Sequence, residues 1–97
     1  MRISEIQVTP IKPNSGLVAF ASFVLDNQLY LGSIGIVTRP EGGYRLVYPT
    51  KKVAEKNINL FHPLNRKFAD EIERAILTIY EDVMSNSNVG HNSFSNG

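Results

Sequence analysis

The sequence predicts an α+β domain: an antiparallel sheet of about four to five strands, packed by one long C-terminal helix. Three observations predict it. Runs rich in β-branched and aromatic residues fill the first half of the chain. Two tight-turn signals, Asp26-Asn27 and Pro40-Glu41-Gly42-Gly43, join consecutive runs as hairpins. A single apolar stripe at helical spacing then runs from Phe68 to Val83.

The elements follow in order. Arg2 to Thr9 alternates, with Ile6 and Val8 on one face and Glu5 and Gln7 on the other. Pro10, Pro13 and Asn14-Ser15-Gly16 read as a turn-rich connection. Leu17 to Leu25 is apolar on both faces apart from Ser22, the pattern of a central strand covered on both sides. Gln28 to Thr38 returns after the Asp26-Asn27 turn. Gly32 and Gly35 interrupt it, as glycines do at a bulge or a close backbone approach. In the next run Tyr44, Leu46 and Tyr48 share a face, opposite Arg45 and Val47.

Residues 49–61 read as a connecting loop that Ile58, Leu60 and Phe61 anchor or extend by a short strand. Pro63 holds His62 extended, so the helix begins after it, with Asn65 as the N-cap. Phe68, Ile72, Ala75, Ile76, Ile79, Tyr80 and Val83 form its apolar stripe, and Asp70, Glu73, Arg74, Glu81 and Asp82 lie opposite. Ser85 to Gly97 holds four Ser, four Asn and two Gly, too little apolar surface to offset ordering, and reads as a flexible tail. The division is therefore a domain over residues 1–84 and a tail over 85–97.

At 97 residues the chain is one domain with a modest core, for which sharing that core in a dimer is a natural completion. The absence of cysteine excludes disulfides and thiolate metal sites. His62 and His91 are too few and too far apart for zinc, so neither metal nor cofactor is expected. Met1-Arg2-Ile3-Ser4-Glu5 lacks the pattern of a signal peptide, and the mostly apolar run Leu17–Leu25 is short of a membrane span. The expectation is a cytoplasmic protein without a membrane partner.

Catalysis is not expected. Ser22, Ser33 and Thr50 lack a nucleophile elbow, and neither histidine has a carboxylate orienter nearby in sequence. Gly32-Ser33-Ile34-Gly35 is too short, and too deep in a strand, to cradle phosphate.

Charge distribution is the remaining signal. The net charge is only +1, yet Lys51, Lys52, Lys56, Arg66 and Lys67 stand against one acid, Glu55, between positions 51 and 67. From Phe68 to Met84 the sign reverses, Arg74 facing Asp70, Glu71, Glu73, Glu81 and Asp82. A segment of concentrated positive charge is where an anionic partner docks, and lysine ammoniums suit phosphates. The competing reading is a solvated loop in a protein-interaction module without direct nucleic-acid binding. His62 likewise serves either as a surface ligand or as a backbone partner at the start of the helix. Tyr44 and Tyr48 either stack on bases or pack beneath the helix.

The order Phe23-Val24-Leu25-Asp26-Asn27-Gln28-Leu29, then Tyr48-Pro49-Thr50-Lys51-Lys52, then His62-Pro63-Leu64-Asn65 before a helix, resembles the SpoVG family of stage V sporulation or septation-regulator proteins. The resemblance covers about residues 1–83. It implies a homodimeric α+β protein that binds DNA and RNA and regulates septation- and sporulation-type genes. It also implies nucleic-acid contacts at Lys51 and Lys52, with Lys56 a looser match. Arg66 and Lys67 broaden that patch. The family's Lys-Arg pair is Lys51-Lys52 here, which keeps charge without the guanidinium fork that reads guanine edges. Its His-Asp-Ile-Arg reads Gly32-Ser33-Ile34-Gly35.

Overall fold

The computed structural model describes residues 1–95, with side-chain surroundings given through Asn86. Four strands, β1 (Ile3–Asn14), β2 (Leu17–Leu25), β3 (Leu29–Thr38) and β4 (Tyr44–Val47), form an antiparallel sheet in chain order. A separate two-stranded ribbon follows, β5 (Thr50–Val53) with β6 (Lys56–Asn59), and then helix α1 (Arg66–Ser95). The α+β architecture is the one the sequence specifies. The expected tail, residues 85–97, begins within α1, which runs to Ser95; side chains there are described only at Ser85 and Asn86, and residues 96–97 lie outside the described residues.

Each turn has a local cause. Asp26 and Asn27 both take positive φ, 53° and 56°, as a type I′ hairpin requires, and Gln28 N–H donates to Leu25 O at 2.9 Å. Asp26 also fastens the start of β1, accepting from Arg2 N–H at 2.7 Å while its own N–H donates to Arg2 O at 2.8 Å. Ser15 and Gly16 make the first turn, also at positive φ. The Pro10–Asn14 stretch is strand rather than connection. As the edge of the sheet, β1 tolerates prolines, and its register with β2 slips between Pro10 and Asn14.

Two bulges set which side chains face the helix. On β1, three steps from Ser4 to Gln7 oppose two from Val24 to Ser22, with Glu5 at φ 48°. On β3, three steps from Leu31 to Ile34 oppose two from Phe23 to Ala21, with Ser33 at φ 61°. Each extra residue inverts the alternation. Leu31 faces the core before the second bulge, Ile34 and Ile36 after it.

The core is Ala19, Ala21, Phe23, Ile34 and Ile36 from the sheet against Ile72, Ile76 and Tyr80 from α1. The small Ala19 and Ala21 leave room for the helix stripe. Tyr44 meets Tyr80 edge-on at 5.0 Å between ring centroids, so it packs beneath the helix. Within the chain, α1 covers only one face of β2; Phe20, on the other face, is 41% exposed. The two-sided cover read from the run Leu17–Leu25 is therefore not met within this chain.

Asn65 caps α1: Phe68 N–H donates to Asn65 Oδ1 at 2.8 Å, and Ala69 N–H to Asn65 O at 3.0 Å. Asn65→Ala is expected to lower unfolding free energy in urea by about 0.5–2 kcal/mol, whereas Asn65→Asp preserves it. Equal loss in both variants would remove the cap from the account.

Candidate nucleic-acid interface

Lys51, Lys52 and Lys56 stand on a strand ribbon and not in a loop. Thr50 pairs with Asn59, Lys51 with Ile58, Lys52 with Asn57 and Val53 with Lys56. All eight paired residues are exposed. Because side chains alternate across a strand, the two adjacent lysines point to opposite faces. One face carries Lys51, Lys56, Val53 and Ile58; the other carries Lys52, Thr50, Asn57 and Asn59. Ala54 turns the ribbon at φ 57°, a conformation that costs a residue with a Cβ.

The base of the ribbon is fixed on both strands. Leu60 N–H donates to Pro49 O at 2.8 Å, and the Tyr48 and Phe61 rings meet edge-on at 5.9 Å. Both rings pack against the core, so the lysines project from a rooted support. Of the three residues expected to anchor this segment or add a short strand, Phe61 anchors it and Ile58 lies in the short strand β6. Ile58 and Leu60 are 49% and 60% exposed.

Arg66 and Lys67 are the first two residues of α1, exposed, with no acidic residue in the first turn. Two cations there add to the positive end of the helix dipole, at some cost to the helix. Lys67, however, shares a shallow hollow with Asp70, Glu71 and Arg74, which offsets its field. Thus the structure brings Lys51 and Lys56 onto one ribbon face, sets Lys52 on the other, and leaves Arg66 and Lys67 on a separate element. Among the described residues the one ion pair is Arg39–Glu73 at 4.0 Å, partly exposed and of small energetic weight.

His62 Nδ1 lies 3.1 Å from Pro63 O; a carbonyl only accepts, so Nδ1 carries the proton. That is the backbone role. Beside it, Tyr48 lines an apolar cavity of about 180 Å³ with Phe23, Leu31, Phe61 and Phe68. The Tyr48 hydroxyl is buried without a hydrogen-bond partner. Burial, and then the charge of Glu73, push its pKa up to about 12. Burial, and then Tyr44, also raise Tyr80. Of the two readings open for Tyr44 and Tyr48, the structure shows packing against the core; the sequence did not single out Phe20 and Tyr30, which are exposed on the open face of the sheet. The alternation of Phe20 with Ala19 and Ala21 was the available signal.

Among the described residues no helix is long and apolar enough to cross a membrane, and no group of three His, Asp or Glu side chains is placed to hold a metal ion. The SpoVG family model matches residues 1–82. Similar proteins, each provisionally named a septation protein SpoVG, come from bacteria and an archaeon. That of Treponema denticola is 27% identical over 84% of this chain and 87% of its own length. That of Aster yellows witches'-broom phytoplasma is 29% identical over 89% and 87%. That of Archaeoglobus fulgidus is 27% identical over 82% and 94%.

The Tyr48 hydroxyl gives a pH-dependent stability with a definite sign. An unfolded tyrosine loses its proton near pH 10, whereas folded Tyr48 holds it to about 12. Its contribution is therefore complete below pH 10 and is lost as pH rises from 10 to 12. Tyr48→Phe is expected to leave neutral-pH stability intact, because no hydrogen bond is lost, and to flatten the decline in thermal midpoint over that window. Tyr80 keeps a residual decline. An unchanged alkaline profile in Tyr48→Phe would remove Tyr48 as its source.

Proposed function

The chain belongs to the SpoVG family, and from that premise we propose that it is a dimeric, cytoplasmic, non-enzymatic regulator that binds nucleic acid, DNA or RNA, in septation- or sporulation-type gene expression. The observation that carries the reading is the β5–β6 ribbon. It presents Lys51, Lys52 and Lys56 on exposed strands against the single acid Glu55. Flexible ammonium groups on a rooted ribbon follow a phosphate backbone without needing a fixed sequence. Lys51 and Lys56 form the principal contact because they share a face. Lys52 reaches phosphate from the opposite side, and Arg66 and Lys67 supply a weaker flanking field.

Dimerisation is supported by the size of the core, eight buried apolar side chains among the described residues. Leu64, 90% exposed just before α1, and Leu60, 60% exposed at the end of the ribbon, offer apolar surface for a second copy. A second reading, a protein-interaction module, is favoured by Val53 and Ile58. They are about half exposed on the same ribbon face as Lys51 and Lys56.

An electrophoretic shift with random duplex DNA at about 0.05 and 0.2 M salt separates the two. Retention that weakens steeply with salt is the expected result; none at either salt favours the interaction module. Replacing Lys51 and Lys52 together by Ala is expected to weaken duplex binding about tenfold per lost phosphate contact near 0.1 M salt and to lower the salt slope by about 0.9 for each. Thermal unfolding should hardly change, since both side chains are exposed. A double variant that binds as tightly as the parent would move the interface off this ribbon.

A further inference from the structure

The face of the sheet turned away from α1 carries a feature that the lysine ribbon does not use. The bulges of β1 and β3 flank the same short stretch of β2, with Ser22 paired to Gln7 on one side and the Gly32–Ser33 bulge on the other. Between them lies a shallow hollow of about 260 Å³, lined by Gln7, Thr9, Ser22 and Ser33 together with Phe20 and Tyr30. Ser22 is 7% exposed, whereas Tyr30 is 68% exposed at the rim. The Tyr30 ring rests over Gly32, where a Cβ would stand 2.9 Å from its Cε2 and Oη. Only a glycine lets the ring sit that close to the backbone.

We propose that this hollow accepts an unpaired nucleobase of a single-stranded nucleic acid, stacked on Tyr30 and Phe20, with its edge turned to Gln7, Ser22 and Ser33. The proposal rests on the nucleic-acid reading above and names its substrate class. Four kinds of observation support it. The volume exceeds the roughly 150 Å³ cavity that accepts benzene, so a one- or two-ring base fits. Exposed aromatic rings on a sheet are the platform on which unpaired bases stack. The amide of Gln7 and the hydroxyls of Thr9, Ser22 and Ser33 both donate and accept, matching the mixed edge of a base. Finally, no charged side chain lines the hollow, so it suits a neutral flat ring and not a phosphate.

That last point also chooses the source. A free nucleotide would find no cation in the hollow for its phosphate. A strand places its phosphates on lysines elsewhere while one base enters the hollow. A second copy of the chain is the poorer occupant, because Gln7, Thr9, Ser22 and Ser33 make most of the seven-residue lining polar, with Ala21 completing it.

The test uses the full chain and a labelled single strand of about eight mixed nucleotides, as DNA and as RNA, beside a duplex of the same sequence. Tyr30→Leu is expected to weaken single-strand binding roughly 5- to 150-fold, the stacking contribution of one base, with duplex binding and its salt slope unchanged. Phe20→Leu acts in the same direction, and Tyr30→Phe, which keeps the ring, binds as the parent does. Gly32→Ala, which displaces the ring without removing it, weakens single-strand binding as well. Thermal midpoints of all four variants exclude unfolding as the cause. Leucine variants that bind single strands like the parent overturn the proposal, as does equal loss on single strand and duplex. Tyr30→Leu that converts a dimer to monomer in sedimentation makes this face a copy–copy interface, and tight binding of adenosine monophosphate alone makes the strand unnecessary; either overturns it. A parent that binds duplex but no single strand removes this inference alone, whereas a parent that binds neither removes the lysine reading with it.

Discussion

Everything in this fold depends on one apolar contact, the stripe Ile72, Ile76 and Tyr80 laid against Ala19, Ala21, Phe23, Ile34 and Ile36. A four-stranded sheet with one helix has a single interior layer, so every buried side chain must reach the same plane. The two alanines on β2 leave the space that the isoleucines of α1 fill. The cap at Asn65 and the edge-on pair Tyr44–Tyr80 then fix where the helix starts and how it is rotated. The bulges follow from the same requirement. Without the extra residue on β3, Leu31 and Ile34 would point to opposite faces, and Ile34 with Ile36 would leave the core.

Bulges that correct one face necessarily disturb the other. Where β1 and β3 each carry an extra residue, the open face loses its even pleat on both sides of Ser22. The hollow among Gln7, Thr9, Ser22 and Ser33 is thus the outer side of the adjustment that seats Ile34 and Ile36 inside. Phe20 is left exposed for a related reason: it pairs with Gly35, which offers no side chain to cover it.

Features encoded within a few residues were legible in the sequence. Asp26-Asn27 takes left-handed φ because short polar side chains tolerate it, and Asn65 caps because its carboxamide reaches an N–H three residues on. The part of the stripe through Phe68, Ile72, Ile76 and Tyr80 follows from helical period, whereas Leu77 and Met84, not Ile79 and Val83, pack beside it. What depends on pairing was not legible. Nothing in Leu29 to Thr38 states that the facing of side chains inverts at Gly32–Ser33, because a bulge is defined by the neighbouring strand. For the same reason Lys51-Lys52 reads as one patch of charge in sequence, although the ribbon sends the two side chains to opposite faces.

That division of the lysines limits what the ribbon is able to do. Three ammonium groups spread over two faces give a broad field but no fork of donors aimed at one base edge, so the ribbon is suited to attraction and not to discrimination. A protein that recognised nucleic acid through this element alone would bind by charge, loosely and with steep salt dependence. Discrimination between single and paired strands has to come from a surface that senses something a duplex hides. The open face offers such a surface, since a stacked base inside a helix cannot present its plane to Tyr30, and an unpaired one can. Charge on the ribbon and flat aromatic surface on the sheet would then divide the work, the first holding a strand and the second reporting that it is single.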